Sequence, residues 1–119
     1  MGTNMSNKMK LLVTIVERGL GGQVIAACEE EHQSFNLSFL GRGTAQSRIL
    51  EYLGLGEVEK DIVMSFVPED FTALMLNKLN RTFALDNAGN GIAFTIPIRS
   101  VGGPITLGML SGIYGEKEQ

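Results

Sequence analysis

Apolar and polar positions along the 119-residue chain recur with two periods, one of two residues and one near the helical repeat. From Lys10 to Val16 the pattern is that of a strand, with Leu11, Val13 and Ile15 on one face and Leu12, Thr14 and Val16 on the other. Glycines at 19, 21 and 22 interrupt it. Gln23 to His32 then reads as a short helix, burying Val24, Ile25 and Cys28 and leaving Glu29, Glu30 and Glu31 in water. Phe35 to Leu40 alternates again, which predicts Phe35, Leu37 and Phe39 inward and Asn36 and Ser38 outward.

The plan then repeats. Asp61 to Val67 is a strand, and Pro68-Glu69-Asp70 starts a helix, proline and acids being suited to a first turn. Phe71, Leu74, Met75 and Leu79 follow at helical spacing as the expected buried stripe. After the turn Asn87-Ala88-Gly89-Asn90-Gly91, a last strand alternates Ile92, Phe94, Ile96 and Ile98 against Ala93, Thr95, Pro97 and Arg99. The order β-α-β-β-α-β predicts an α+β, ferredoxin-like split βαβ fold. Its second and fourth strands lie at the edges, which suits Pro97, since proline has no N–H to give to a neighbouring strand. The first and third strands are central, and both are apolar on two faces, with Val63 and Val67 opposing Ile62, Met64 and Phe66. Helices cover one face of such a sheet, so the other predicts a homo-oligomer.

The connection between the two halves is too long for a hairpin. Residues 41–60 separate Leu40 from Asp61, where a handful would suffice. Ala45, Ile49, Tyr52 and Leu53 have helical spacing within it and Gly54 is a natural stop, so a loop followed by a short helical stretch is expected.

Composition narrows the function classes. An apolar fraction of 44% and a charged fraction of 19% describe one globular domain over residues 1–119, with 1–8 and 115–119 expected as disordered tails. The net charge of −3, with ten basic residues scattered along the chain, disfavours nucleic acid as a partner and leaves room for a small anion. The single cysteine, Cys28, permits no internal disulfide and no cysteine-pair zinc site. The single histidine, His32, closes a helix after three glutamates, where the helix dipole accounts for it. Neither a metal cluster nor a nucleophile–base pair is well supplied, so no cofactor and no enzymatic activity are expected. With no signal-peptide pattern and an apolar stretch of only Leu11 to Val16, the cytoplasm is the expected compartment.

Three glycine-bearing turns are candidates for chemistry. Gly19-Leu20-Gly21-Gly22 lies between strand and helix as a dinucleotide-binding turn would, but it lacks the full fingerprint, and a plain flexible turn is the better reading. Gly41-Arg42-Gly43-Thr44 ends a strand with two glycines that let amides approach an anion, an arginine fork and a capping hydroxyl. A tight turn with a solvated arginine accounts for it equally well. Gly89-Asn90-Gly91 ends in a strand, as an ordinary turn does, yet the topology allows it to meet the Gly41 loop across a subunit interface, with Arg99 as a second cation.

Taken together, the strand Lys10 to Val16, the insertion opening Gly41-Arg42-Gly43, Val67-Pro68-Glu69 at the second helix and Gly89-Asn90-Gly91-Ile92-Ala93-Phe94 resemble the PII-like signalling proteins over residues 9–100. The resemblance implies a homotrimer that binds an adenine nucleotide at its subunit clefts. Gly41, Arg42, Gly43 and Thr44 would lie on one side, and Gly89, Asn90, Gly91 and Ile92 on the other. It also implies an insertion (the T-loop) that controls a membrane transporter or metabolic enzyme, as in nitrogen regulation. Ile92 stands where those regulators carry a phosphate-binding lysine, Arg99 is the stand-in for an Arg-x-Arg pair, and the tyrosine motif of their loop is absent. The departures imply a different nucleotide preference, or none. A ligand-free interaction trimer and a small phosphotransfer enzyme are the alternatives on this fold.

Overall fold

A computed structural model describes residues 8–42, 59–87 and 89–103 of the chain. The insertion beyond Arg42, with Gly43 and Thr44, lies outside the described residues, as do most of the predicted tails and the segment after Gly103. The elements are β1 (Met9–Glu17), α1 (Gly21–Glu31), β2 (Asn36–Arg42), β3 (Glu59–Pro68), α2 (Glu69–Phe83) and β4 (Ile92–Pro97). They form a four-stranded sheet in the order β2-β3-β1-β4, antiparallel throughout. This is the ferredoxin-like plan, with the apolar strands β1 and β3 in the centre and Pro97 on an edge strand.

Both helices pack on one face of the sheet. Leu12 and Val16 from β1 and Val63 and Val67 from β3 meet Val24, Ala27 and Cys28 of α1 and Met75 and Leu79 of α2. Removing each of the larger side chains from water stabilises the fold by about 1.5–3 kcal/mol. Lys78 ties the helices together on the outside, with its Nζ 2.5 Å from Glu30 and 3.1 Å from Glu31. His32 lies against the ring of Phe71, centroids 4.6 Å apart, a packing contact in addition to its place at the helix end.

Two expected orientations are reversed. The side of β2 predicted to point inward is exposed: Phe35, Leu37 and Phe39 keep 41%, 44% and 42% of their surface. They share the open face of the sheet with Phe66, Met64 and Ile62 of β3, Val13 of β1 and Phe94 of β4. The helix side of β2 is instead the one carrying Asn36 and Ser38, and the Ser38 hydroxyl lies under Gly21 at the start of α1. Alternation separates two faces without saying which one the helices cover. On α2, Leu74 is exposed, and Leu76 and Phe83 extend the stripe of Met75 and Leu79 in its place.

Candidate functional site

One end of the sheet collects most of the chemistry. There β2 finishes with Gly41 and Arg42, paired with Lys60 and Glu59 at the start of β3. Glu17, at the end of β1, is also opposite Lys60, and β4 begins with Ile92 opposite Ile15. The Gly41–Arg42 and Gly89–Gly91 groups therefore share an end of the sheet but sit on its two opposite edges. Three inter-strand spacings, roughly 14 Å, separate them within one chain. Arg99 follows Pro97, which pairs with Lys10 near the start of β1, so it lies a strand length away, roughly 20 Å from the Gly91 end.

The β1–α1 turn carries an anion cradle, and the chain fills it with its own carboxylate. Gly19 and Gly21 both donate their backbone N–H to Asp61 Oδ2, each at 2.9 Å. Gly19 holds φ +100°, and at Gly21 an added Cβ would lie 2.9 Å from Asp61 Oδ2 and 3.1 Å from Ser38 Oγ. The helix has no side-chain cap of its own. Asp61, from β3, supplies the missing acceptor at the positive end of α1. The turn that resembles a dinucleotide-binding loop is thus internally occupied, which agrees with its plain reading. Sequence reasoning missed Asp61; the available signals were an acid opening an apolar strand and a helix start without a Ser, Thr, Asp or Asn to cap it.

Arg18, next to the same turn, forms an ion pair with Glu59. Glu59 directly faces Arg42 in the strand register, but Arg42 is exposed and has no ion pair among the described residues. Lys60, on the other face of β3, is buried. At Gly41 an added Cβ would run into the end of the Ile62 side chain.

The second group is also shaped by the fold. The Asn90 side-chain amide donates to the carbonyls of Phe83 (3.3 Å) and Ala84 (3.0 Å), closing the C-terminus of α2. Gly91, at φ +124°, sits so close to β1 that an added Cβ would collide with the Ile15 carbonyl. Gly89, at φ +94°, faces open space. A shallow groove of about 440 Å³ runs beside Gly91 and Ile92, walled by Leu76, Asn80 and Leu85. Among the described residues there is no cluster able to hold a metal ion and no helix long and apolar enough to cross a membrane.

No protein-family model and no curated protein matches the sequence. Solved structures match the fold. PII from Arabidopsis thaliana, bound to citrate, is 19% identical, with a TM-score of 0.58, over 76% of this chain and 78% of that one. CPII from Thiomonas intermedia, bound to ADP, AMP and acetate, is 15% identical, with a TM-score of 0.61, over 81% of this chain and 91% of that one. A DUF3240-family protein from Shewanella baltica is 18% identical, with a TM-score of 0.52, over 79% and 93%. The chain has the fold of the PII proteins.

Proposed function

With that fold as the premise, we propose that the chain is a non-enzymatic regulatory protein of the cytoplasm whose copies assemble through the open sheet face and bind an adenine nucleotide between them. The observation that carries the reading is the open face itself. Phe35, Leu37, Phe39, Phe94 and Ile96 are all exposed there, on strands whose edges end in the two candidate loops. A stably monomeric protein rarely leaves such a contiguous apolar patch in water. Burying it against further copies, as a trimer, brings the β2 edge of one against the β4 edge of the next. Gly41 and Arg42 then meet Gly89, Asn90, Gly91 and Ile92, which one chain alone keeps apart.

Arg42 is the contact for the phosphates, and the glycine amides line the floor of the cleft. CPII, bound to ADP and AMP, supports adenine nucleotides as the class. Arg99 lies at the far end of the sheet from Gly91 in its own chain. The insertion that follows Arg42 in the sequence is the element that grips a transporter or metabolic enzyme, and a nucleotide shifts it only by its difference in affinity for the two states of the loop.

Sedimentation equilibrium and calorimetry with ADP, AMP and ATP test the reading. The expected result is a particle three times the 12.9 kDa chain mass that binds at least one nucleotide, with Arg42→Ala weakening binding by roughly ten- to a hundredfold. A monomer at micromolar concentration removes the cleft, and blank titrations of the wild type remove the ligand. A second reading, the ligand-free interaction trimer, has its own support: the Asn90 amide and the Gly91 backbone are fully accounted for by capping and packing. An assembled trimer with blank titrations selects it.

A further inference from the structure

The end of the sheet holds two arginines and one carboxylate placed to serve either. Glu59 and Arg42 are directly opposed residues of an antiparallel pair, so their side chains leave the same face within reach of each other. Arg18 nevertheless takes Glu59. It is held in place to do so, because Asp61 clamps the turn immediately after it through Gly19 and Gly21. Residues 59 and 61 lie on one face of β3, so both carboxylates are directed at the same turn.

We propose that Arg18 is a positioning residue that keeps Glu59 off Arg42, leaving the Arg42 guanidinium available for an anionic ligand. This rests on the reading of Arg42 as the phosphate contact. The Arg18–Glu59 pair is solvent-exposed, with 61% and 40% of the two side chains accessible. Such pairs are weak and easily exchanged, so removing Arg18 lets Glu59 turn to its cross-strand neighbour. A ligand must then displace Glu59 before it reaches Arg42.

The test is calorimetry of ADP binding to wild type, Arg18→Ala, Glu59→Gln and the double variant. Arg18→Ala is expected to weaken ADP about three- to fivefold, the scale of an exposed ion pair, with the loss shrinking at high salt. Glu59→Gln in the Arg18→Ala background restores wild-type affinity, because the competitor is gone. Undiminished affinity in Arg18→Ala, or a double variant as weak as the single one, overturns the proposal. A second measurement is independent of ligand. In urea-unfolding cycles, the Arg42–Glu59 coupling is close to none in the wild-type background and appears, as about a two- to fivefold change in unfolding equilibrium, once Arg18 is alanine. If the wild type binds no ADP, the reading of Arg42 fails, and this cycle alone decides the pairing. Equal coupling in both backgrounds overturns it.

Discussion

Replacing Gly91 by alanine tests whether this glycine is present for the fold or for a ligand. At φ +124° its backbone lies where residues with a side chain are rarely found, and forcing one there costs about 1–3 kcal/mol. The new Cβ would also run into the Ile15 carbonyl and come within 3.3 Å of the Val16 Cα and 3.2 Å of its Cγ1. Ile15 and Val16 belong to β1, which is held between β3 and β4, so its backbone cannot recede. Overpacking of that kind adds about 1–3 kcal/mol. The two contributions together come to roughly 2–6 kcal/mol, a large share of the 5–15 kcal/mol that stabilises a typical domain. Gly89→Ala is the control: φ is +94° but the surroundings are open, so only the conformational cost of about 1–3 kcal/mol applies. Urea unfolding of both variants at one protein concentration gives the comparison. A Gly91→Ala loss no larger than that of Gly89→Ala, or below about 1 kcal/mol, refutes the packing argument. Gly89→Ala is also the cleaner probe of nucleotide binding, since it leaves β1 undisturbed.

Three further outcomes are expected. Ala84 closes α2 in the left-handed region at φ 53°, so Ala84→Gly raises stability by about 0.5–1 kcal/mol in urea unfolding, relief of the Cβ strain outweighing the added freedom of the unfolded chain. The Glu30 hydrogen bond raises the Lys78 ammonium above its ordinary 10.5. Because the folded-state value is the higher one, the stability it adds is present below 10.5 and lost as pH rises through the folded value; the melting difference between wild type and Lys78→Met should persist from pH 7 to 10 and close above that. Burial pushes the Cys28 thiol above its ordinary 9.0, so a thiol-reactive disulfide at pH 8 should label native protein at least about a hundredfold more slowly than unfolded protein, a rate ratio read by absorbance.

The order of strands and helices was legible in the sequence because it depends on local periodicity. Alternation at 10–16 and 61–67, helical spacing at 71–79 and Pro68 at a helix start are properties of neighbouring residues, and each element appears where its pattern lies. Pro97 marked an edge for an equally local reason, its missing donor. Two-sided apolarity in the central strands likewise marked a second apolar face of the sheet, the one the helices leave open.

Which face the helices take was beyond the sequence. The alternation of Phe35, Leu37 and Phe39 distinguishes two sides, and only the packing of α1 over Ser38 and Asp61 decides that the aromatic side is the open one. The same holds for the site. Asp61 lies forty or more positions from Gly19 and Gly21 but meets them because β3 lies beside β1, so the local signs, an uncapped helix start and an acid opening a strand, do not by themselves pair the two. Arg42 was visible as a cation from its motif; that its facing carboxylate belongs to Arg18 depends on strand register and on the turn that Asp61 holds. Periodicity is written residue by residue and can be read from the chain alone, whereas a cap, a face and the choice of an ion-pair partner exist only once distant segments are brought within a few ångströms.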